Sequence, residues 1–238
     1  FEFIKTNILG SQNIIDAALN NKVSNVVALS TDKAVAPINL YGATKLCSEK
    51  LFILANNISG NKNIKFSVVR YGNVFGSRGS VYPFFDSLKN KKYFPITDKN
   101  MTRFNMSLSD SVNFVLWSLK NNIGGEIFVP KLSSYKIVDL AKIINPKNKL
   151  KIIGIRPGEK IHEELISQLE IPHTYDLGKY YAIFNNPPTK ILIKLKKRKY
   201  KKIKFYNYCS GSAKKYLNKS DLELVIKDYK KNFFQFIK

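Results

Sequence analysis

Two short motifs near the amino terminus contain residue types that can move protons and stabilise charge. In Tyr41-Gly-Ala-Thr-Lys45 a phenol and an ammonium lie one helical turn apart on the same helix face. The cation can stabilise the phenolate, so Tyr41 can accept a hydroxyl proton while a hydride leaves the same carbon. This spacing is common on exposed helices and is weak evidence of function by itself. The quartet Ser30-Thr31-Asp32-Lys33 that precedes it favours a functional role.

The elements predicted around these motifs place both at the edge of a parallel sheet. Residues 23–30 form a short β-rich apolar run, typical of a buried parallel strand, and the quartet begins where this strand ends. An amphipathic helix is predicted over 40–57. A second such strand, 66–70, leads into the glycine-rich segment 71–80. Since ligands collect at the carboxyl ends of strands in open α/β sheets, both loops are candidate site elements.

The remaining elements follow from periodicity and from turn and capping residues. The pattern predicts a helix already under way over 1–20, a short helix over 81–90 and an edge segment ending at Thr97. Further along, it predicts a helix capped by Ser109-Asp110, a strand at 126–129, a helix at 136–144 capped by Ser133-Ser134, a strand at 151–155, a helix at 161–166 and a helix at 220–236. The basic run 190–204 fits a two-faced strand with solvated lysines.

Composition limits the classes of function. The formal net charge of +23 would suit a nucleic-acid or membrane-surface binder. Only five of the forty basic residues are arginines, however, and the lysines are spread along most of the chain, which favours a general compositional bias. We therefore do not expect nucleic acid as a partner. The run at 190–204 stays open as a contact for an anionic partner.

Apolar and cysteine patterns point to a cytoplasmic globular protein. The 44% hydrophobic content argues against global disorder, and neither a membrane-spanning run nor a secretory leader is visible. We therefore expect no membrane association. Cys47 and Cys209 lack the spacing of a disulfide framework or a zinc site, and the two histidines have no further ligands at a matching spacing, so we expect no metal.

Six motifs in a fixed order carry a resemblance to a known family. They are LSTDKA at 29–34, INLYGATK at 38–45, VVRYGNVFGSRGSV at 68–81, MTRF at 101–104, GGEIFVPK at 124–131 and IIGIRPGEK at 152–160. Together they resemble the extended short-chain dehydrogenase/reductase superfamily (NAD-dependent epimerase/dehydratase). Within it they resemble the inverting UDP-N-acetylglucosamine 4,6-dehydratases of pseudaminic acid biosynthesis.

The resemblance implies a chemistry for the first two motifs. That family oxidises the sugar at C4 with NADP, eliminates water across C5 and C6, and returns the hydride to C6 with inversion at C5. Tyr41 would be the base for the C4 hydroxyl, with Lys45 beside it, and Thr31 would bond the C4 oxygen. Asp32 would protonate the departing C6 hydroxyl and Lys33 would take the C5 proton. Retaining relatives carry Glu where this chain has Lys33, and many membrane-anchored relatives carry Met in place of Tyr41.

The resemblance also implies binding roles. The cofactor-binding candidates are Ser30, Tyr41, Lys45, Tyr71, Val74 and Arg78. The candidates for UDP-N-acetylglucosamine are Asn73, Arg78, Arg103, Arg156 and Glu159, with the arginines meeting phosphate charge and Glu159 the uridine ribose. Asn7 matches a helix asparagine that shapes the site through its backbone. The intact family member is implied to be a homo-oligomer.

The implied fold is α/β, a partial Rossmann-type doubly wound parallel sheet with a small α+β substrate lobe. Residues 1–80 would be the carboxyl-terminal part of the NADP-binding domain with the catalytic residues, and 81–238 mostly the UDP-sugar lobe, with some segments returning to the first domain. The family begins with βαβ units whose glycine-rich turn seats the NADP pyrophosphate. No such G-x-x-G-x-x-G occurs here, so we expect the amino-terminal units to be missing.

Three other functions stay open. Within the superfamily these are a retaining nucleotide-sugar 4,6-dehydratase and a 4-epimerase of the kind that shares LSTDKA. Outside enzymes, the chain could be a catalytically dead basic fragment that binds anions. Salt-dependent retention on nucleic acid without a response to UDP-sugar would favour that last function.

We expect this 238-residue chain, expressed alone, to bind NADP weakly and to show little or no turnover, because the turn that seats the cofactor pyrophosphate is not among its motifs. Calorimetric titration with NADP measures this. Tight binding, or cofactor retained in stoichiometric amount through purification, would contradict the expectation.

Overall fold

The computed structural model describes residues 1–60, 63–185, 187, 189–197, 199–204 and 207–236. The helices are α1 (Glu2–Ile4), α2 (Gly10–Asn20), α3 (Leu40–Ile58), α4 (Val81–Ser87), α5 (Leu108–Asn121), α6 (Ile137–Ile144), α7 (Thr189–Lys197) and α8 (Lys219–Phe236). The strands are β1 (Asn25–Thr31), β2 (Lys65–Tyr71), β3 (Tyr93–Ile96), β4 (Thr102–Asn105), β5 (Glu126–Pro130), β6 (Ser133–Lys136), β7 (Lys149–Ile152), β8 (Glu164–Ile166), β9 (Thr174–Asp176), β10 (Tyr180–Phe184), β11 (Lys201–Lys202) and β12 (Tyr208–Cys209).

These elements form two compact units. The first unit comprises Phe1–Tyr71, Val112–Lys131 and Glu164–Tyr208. The second unit comprises Gly72–Ser111, Leu132–Glu163 and Cys209–Lys238. Each unit is therefore built from three separate stretches of the chain.

A six-stranded sheet organises the first unit, in the order β1-β2-β5-β10-β9-β11. β1, β2 and β5 are parallel, and β10, β9 and β11 continue the sheet with antiparallel pairing. The register sets Ser30 opposite Arg70 and Thr31 opposite Tyr71, so β1 and β2 end at the same edge. The predicted α/β class with a parallel sheet is confirmed.

The apolar strand residues explain why this sheet forms. Phe66, Val68 and Val69 in β2 are fully buried, and Ile127 and Val129 in β5 are almost so. Burying each such side chain contributes about 1.5–3 kcal/mol, and strands covered on both faces need near-continuous apolar runs of this kind.

The second unit has short strand pairs around an aromatic core. β3 pairs with β7 in parallel, and β4 pairs with β6 antiparallel. The core side chains come from the glycine-rich loop, α4, β3, α6 and α8 and include Phe75, Tyr82, Phe85, Phe94 and Leu222. Phe75 stacks on Tyr82 with ring centroids 5.1 Å apart. The loop after β2 is therefore anchored by its own phenylalanine.

A fully buried arginine ties three parts of the first unit together. Arg70 donates from Nε and Nη2 to the Glu49 carboxylate of α3 at 2.9 and 2.6 Å. It donates from Nη1 and Nη2 to Glu170 at 3.0 and 2.9 Å, and from Nη1 to the carbonyl oxygen of Leu165 at 3.1 Å. A guanidinium has five N–H donors, so every donor of Arg70 is used.

The charges in this cluster stabilise one another. Burial alone would lower the pKa of Arg70, but the two carboxylates outweigh it and raise that pKa. Burial likewise would raise the pKa of Glu170, yet Arg70 and the Ser167 bonds hold it below its ordinary value. The Glu170 contribution to stability is therefore fully present above the unfolded pKa near 4.5 and is lost as the pH falls through the lower folded value.

The predicted helix over 1–20 is observed with an irregular turn. The π-helical segment Lys5–Leu9 lies between α1 and α2 and contains Asn7. Ser11 donates to the Asn7 carbonyl oxygen at 2.6 Å and its hydroxyl lies 2.7 Å from that of Ser48 in α3. Such single π turns often occur at functional sites.

Four local predictions were wrong. The segment 161–166 contains β8 rather than a helix, because a short apolar pattern fits either element. The basic run at 190–204 begins as α7, in which Leu195 is buried, before the two-residue β11; Arg198 lies outside the described residues. The cap of α5 is Ser107, whose hydroxyl accepts from the Asp110 amide at 3.0 Å. Ser133 and Ser134 belong to β6 and cap no helix.

We expect Arg70→Ala to lower the free energy of unfolding by about 3–5 kcal/mol, because it leaves Glu49 and Glu170 without their buried counter-charge. Urea unfolding followed by circular dichroism measures this loss. The matched control is Lys219→Ala in the exposed Lys219–Glu223 pair, whose side chains are 77% and 53% exposed. It should change stability by less than about 1 kcal/mol. Equal losses in the two variants would contradict the role given to Arg70.

Gly42→Ala should destabilise the first unit by about 1–3 kcal/mol through overpacking. A Cβ at position 42 would overlap the backbone carbonyl oxygen of Lys33, so α3 would have to move away from the turn after β1. Thermal unfolding checks this. Gly10→Ala is the control, since its nearest neighbour would be 3.5 Å away and alanine favours the helix there. A Gly42→Ala protein as stable as the Gly10→Ala protein would refute the close approach.

Candidate functional site

A buried carboxylate lies directly after β1. Asp32 opens the short 3-10 turn Asp32–Ala34 and is 1% exposed. The Thr31 hydroxyl donates to Asp32 Oδ1 at 2.8 Å and accepts from the Lys33 amide at 3.3 Å. Lys33 Nζ lies 3.1 Å from the same Asp32 oxygen. Thr31, Asp32 and Lys33 therefore form one bonded group, in which a buried carboxylate meets a partly exposed ammonium.

Helix α3 brings the second motif onto this turn. Asn39 caps the helix by accepting from the Gly42 amide at 2.8 Å. Tyr41 lies in the first turn, where its ring packs edge-on against Phe3 at 5.6 Å. Within the part of the chain that the structure describes, no hydrogen bond occupies the Tyr41 hydroxyl. Gly42 allows the close approach of α3 to the Asp32–Ala34 turn.

Lys45 is held at the end of β1. Its Nζ donates to the carbonyl oxygen of Leu29 at 2.7 Å. Burial lowers the pKa of Lys45, and the nearby Glu49 partly opposes this. Because Glu49 also binds Arg70, the position of Lys45 on α3 depends on the buried cluster below it.

Two further residues of the first unit were predicted to contact the cofactor. The Ser30 hydroxyl is buried and has no hydrogen-bond partner among the described residues. Burial raises the pKa of Tyr71, whose ring packs edge-on against Phe114 at 6.2 Å.

Asn7 donates from its amide to the Thr44 hydroxyl at 3.0 Å, which joins the π-helical turn to α3.

The remaining predicted residues lie in the second unit. Asn73 and Arg78 are exposed on the glycine-rich loop. Val74 of this loop helps to line a cavity of about 540 Å³, together with Asn105, Leu108 and Tyr229. This loop therefore offers both polar side chains and an apolar wall.

The two other arginines have different surroundings. The Arg103 side chain is 10% exposed, with Nε 3.6 Å from Glu163 Oε1, and Nη1 donates to the carbonyl oxygens of Thr102 at 2.7 Å and Ile161 at 3.2 Å. Arg156 is 69% exposed and pairs with Glu159 at 2.5 Å. This pair lowers the pKa of Glu159. Glu159, predicted to meet a ribose, is thus bonded to Arg156.

Sequence reasoning missed several residues that support these groups. They are Gly42, Glu49, Glu163, Glu170 and Ser210. A glycine in the first turn of a helix is unfavourable and could have signalled a close approach. The acidic residues and Ser210 gave no sequence signal, because each contacts a partner that is distant in the chain. Glu49 and Glu170 bond Arg70, Glu163 faces Arg103, and Ser210 bonds Thr102.

Neither a metal centre nor a membrane span is found in the described ranges. No group of three or more His, Cys, Asp or Glu side chains there could hold a metal ion. None of the described helices is both long and apolar enough to cross a membrane.

Comparison with known proteins connects these motifs to named relatives. A family model described as a polysaccharide biosynthesis protein matches residues 1–185. The UDP-N-acetylglucosamine 4,6-dehydratase (inverting) of Campylobacter jejuni is 58% identical over 184 residues, which cover 76% of this chain and 55% of that protein. A UDP-glucose 4-epimerase of Rickettsia bellii is 48% identical over 187 residues, with 76% and 55% covered. The chain therefore spans about half the length of these curated relatives.

A solved structure shares the fold over almost the whole chain. The X-ray structure of Pen from Bacillus thuringiensis superposes with a TM-score of 0.84 at 33% identity, covering 95% of this chain and 69% of Pen. The resemblance inferred from the six motifs is confirmed. The chain belongs to the polysaccharide biosynthesis protein family, within the short-chain dehydrogenase/reductase superfamily.

Proposed function

We propose that this chain carries the catalytic and sugar-nucleotide-binding residues of an NADP-dependent UDP-N-acetylglucosamine 4,6-dehydratase that inverts C5. In this proposal the first unit supplies the catalytic residues and the second unit binds the UDP-sugar. The product would feed the synthesis of pseudaminic acid or a related surface sugar. The proposal agrees with the name of the Campylobacter jejuni relative, and it depends most on the Asp32–Lys33 pair.

The single observation that carries the proposal is a buried carboxylate 3.1 Å from an ammonium. Elimination of water across C5 and C6 needs an acid for the C6 hydroxyl and a base for the C5 proton. Moving one proton from Lys33 to Asp32 turns the ion pair into a neutral carboxylic acid and a neutral amine without changing the net charge.

Tyr41, Lys45 and Thr31 would handle the proton at C4. Tyr41 takes the proton of the C4 hydroxyl, and Lys45 stabilises the resulting phenolate. The Thr31 hydroxyl bonds the C4 oxygen. A C4 ketone acidifies the C5 proton, which Lys33 then removes, while Asp32 gives its proton to the departing C6 oxygen.

The described residues fit a nicotinamide cofactor at this edge of the sheet. Among the described residues the buried Ser30 hydroxyl has no hydrogen-bond partner, and a polar ligand group would supply one. Ser30, Tyr41, Lys45 and Tyr71 of the first unit would hold the cofactor, and Val74 and Arg78 are the cofactor-binding candidates of the second unit. NADP bound there would accept a hydride from C4 and return it to C6.

The second unit would bind the UDP-sugar. Arg78, Arg103 and Arg156 are three of only five arginines in a lysine-rich chain, and planar guanidinium groups suit phosphate oxygens. Asn73 would bond the sugar nucleotide. Glu159, fixed by Arg156, would accept from the ribose hydroxyls.

A 4-epimerase is the second candidate, since the Rickettsia bellii relative has that name. Both reactions begin by oxidising C4, so Tyr41 and Lys45 do not separate them. An epimerase needs no base at C5, but the 4-epimerases share LSTDKA, so Lys33 alone does not separate the two reactions either. A retaining 4,6-dehydratase would share every step except the face on which C5 is reprotonated.

The reaction in deuterated water separates these candidates. We expect the intact protein, given UDP-N-acetylglucosamine and NADP, to form a 4-keto-6-deoxy sugar with deuterium at C5 and inverted configuration, as assigned by NMR. A retained configuration at C5 would contradict inversion. A C4 epimer without deuterium at C5 would identify an epimerase.

Variants of the lysine test its role as base. Lys33→Met should lower turnover about 10²–10⁴-fold, the usual range for a general base. Lys50→Met is the matched control, because Lys50 is exposed on α3 and outside the site. Deuterium incorporation at C5 that is unchanged in Lys33→Met would assign the base to another residue.

A further inference from the structure

A buried hydroxyl from the carboxyl-terminal part of the chain binds both neighbours of Arg103. Ser210 is fully buried, and its Oγ lies 2.7 Å from Thr102 Oγ1. The same oxygen accepts from the Glu163 amide at 2.9 Å, while the Ser210 amide donates to the Glu163 carbonyl oxygen at 2.7 Å. Ser210 therefore fixes Thr102 and Glu163 relative to each other.

The Arg103 guanidinium takes its position from these two residues. Nη1 donates to the Thr102 carbonyl oxygen, and Nε faces the Glu163 carboxylate. Within the described residues Nη2 makes no hydrogen bond, so this donor remains for a ligand. Any shift of Thr102 or Glu163 would move Nη2.

Ser210 and His162 both bond the Thr102 hydroxyl. Since Ser210 Oγ accepts an amide hydrogen, its own hydrogen can go to Thr102 Oγ1 at 2.7 Å or to the Thr102 carbonyl oxygen at 3.3 Å. Thr102 Oγ1 also lies 2.8 Å from His162 Nδ1. Burial, aided by the nearby Arg103, lowers the pKa of His162. A Cβ at position 211 would lie 2.6 Å from the His162 ring, so Gly211 permits this approach.

We propose that Ser210 is a positioning residue that holds Arg103 for binding the diphosphate of a nucleotide sugar. This inference rests on the proposed function, because it assigns Arg103 to phosphate. Ser210 itself lies outside residues 1–185, the part matched by the family model. The turn at Ser210–Ser212, although distant in sequence, thereby helps to set how tightly Arg103 of the MTRF motif binds the diphosphate.

The first test reads Arg103 directly, without a ligand. The chain has only five arginines, so their Nε–H signals can be resolved by NMR and Arg103 assigned with an Arg103→Lys protein. We expect Ser210→Ala to speed solvent exchange of the Arg103 Nε–H about tenfold. The Arg70 Nε–H should not change and serves as the internal reference.

Ser134→Ala is the matched control. Ser134 is a fully buried serine in the same unit, and its hydroxyl has no hydrogen-bond partner among the described residues. Its substitution should leave the Arg103 signal unchanged. An Arg103 signal that is also unchanged in Ser210→Ala would overturn the proposal.

The second test reads phosphate binding by calorimetry. Ser210→Ala should weaken UDP binding about five- to tenfold, as expected for the loss of a buried hydrogen bond, and leave uridine binding unchanged. The effect should disappear in an Arg103→Lys background, where the guanidinium is absent. A general loss of structure would instead weaken UDP and uridine equally and would overturn the positioning role.

The outcomes distinguish this proposal from the proposed function. A wild-type chain that binds no UDP would contradict the proposed substrate class, while the NMR measurement still decides whether Ser210 fixes Arg103. UDP binding that is unchanged in Ser210→Ala, with a mobile Arg103, would overturn the link to the diphosphate.

Discussion

The buried guanidinium of Arg70 is the constraint on which the first unit depends. Its donors all have partners, and these lie on α3, in β8 and in the turn before β9. Glu49, which accepts two of the bonds, lies one helical turn after Lys45. The same contact that holds α3 against the sheet therefore fixes the helix face that bears Tyr41 and Lys45. A lysine could not replace this arginine, since an ammonium has three donors and no planar fork.

Sequence patterns were sufficient for the parallel strands and the long helices, because both depend on local apolar periodicity. β1, β2 and α3 fall close to their predicted bounds for this reason. The errors at 161–166 and in the basic run arose where a short apolar pattern fits a strand or a helix equally well. The buried role of Arg70 was invisible, because its partners Glu49 and Glu170 lie 21 and 100 residues away.

In the candidate site, too, some contacts could be predicted from the sequence and others could not. Thr31, Asp32 and Lys33 are neighbours in sequence, so their mutual bonds follow from the motif itself. The surroundings of Arg103 do not, since Thr102 meets Ser210 across 108 residues. Motifs thus identify the residues that would touch the ligands, whereas the residues that orient them come from tertiary packing. The Arg156–Glu159 bond lies between these cases, because it joins residues three apart within one loop.

The distribution of buried charge has a colloidal consequence. Asp32, Glu49, Glu126 and Glu163 are each at most 5% exposed, whereas none of the lysines whose side-chain burial the structure describes is buried. The outer surface is therefore depleted of anions beyond what the composition indicates. Two copies of the chain repel each other over a screening length of about 10 Å at 0.1 M salt. Any contact between copies will therefore form more readily as salt is added, which reverses the usual behaviour of contacts between opposite charges.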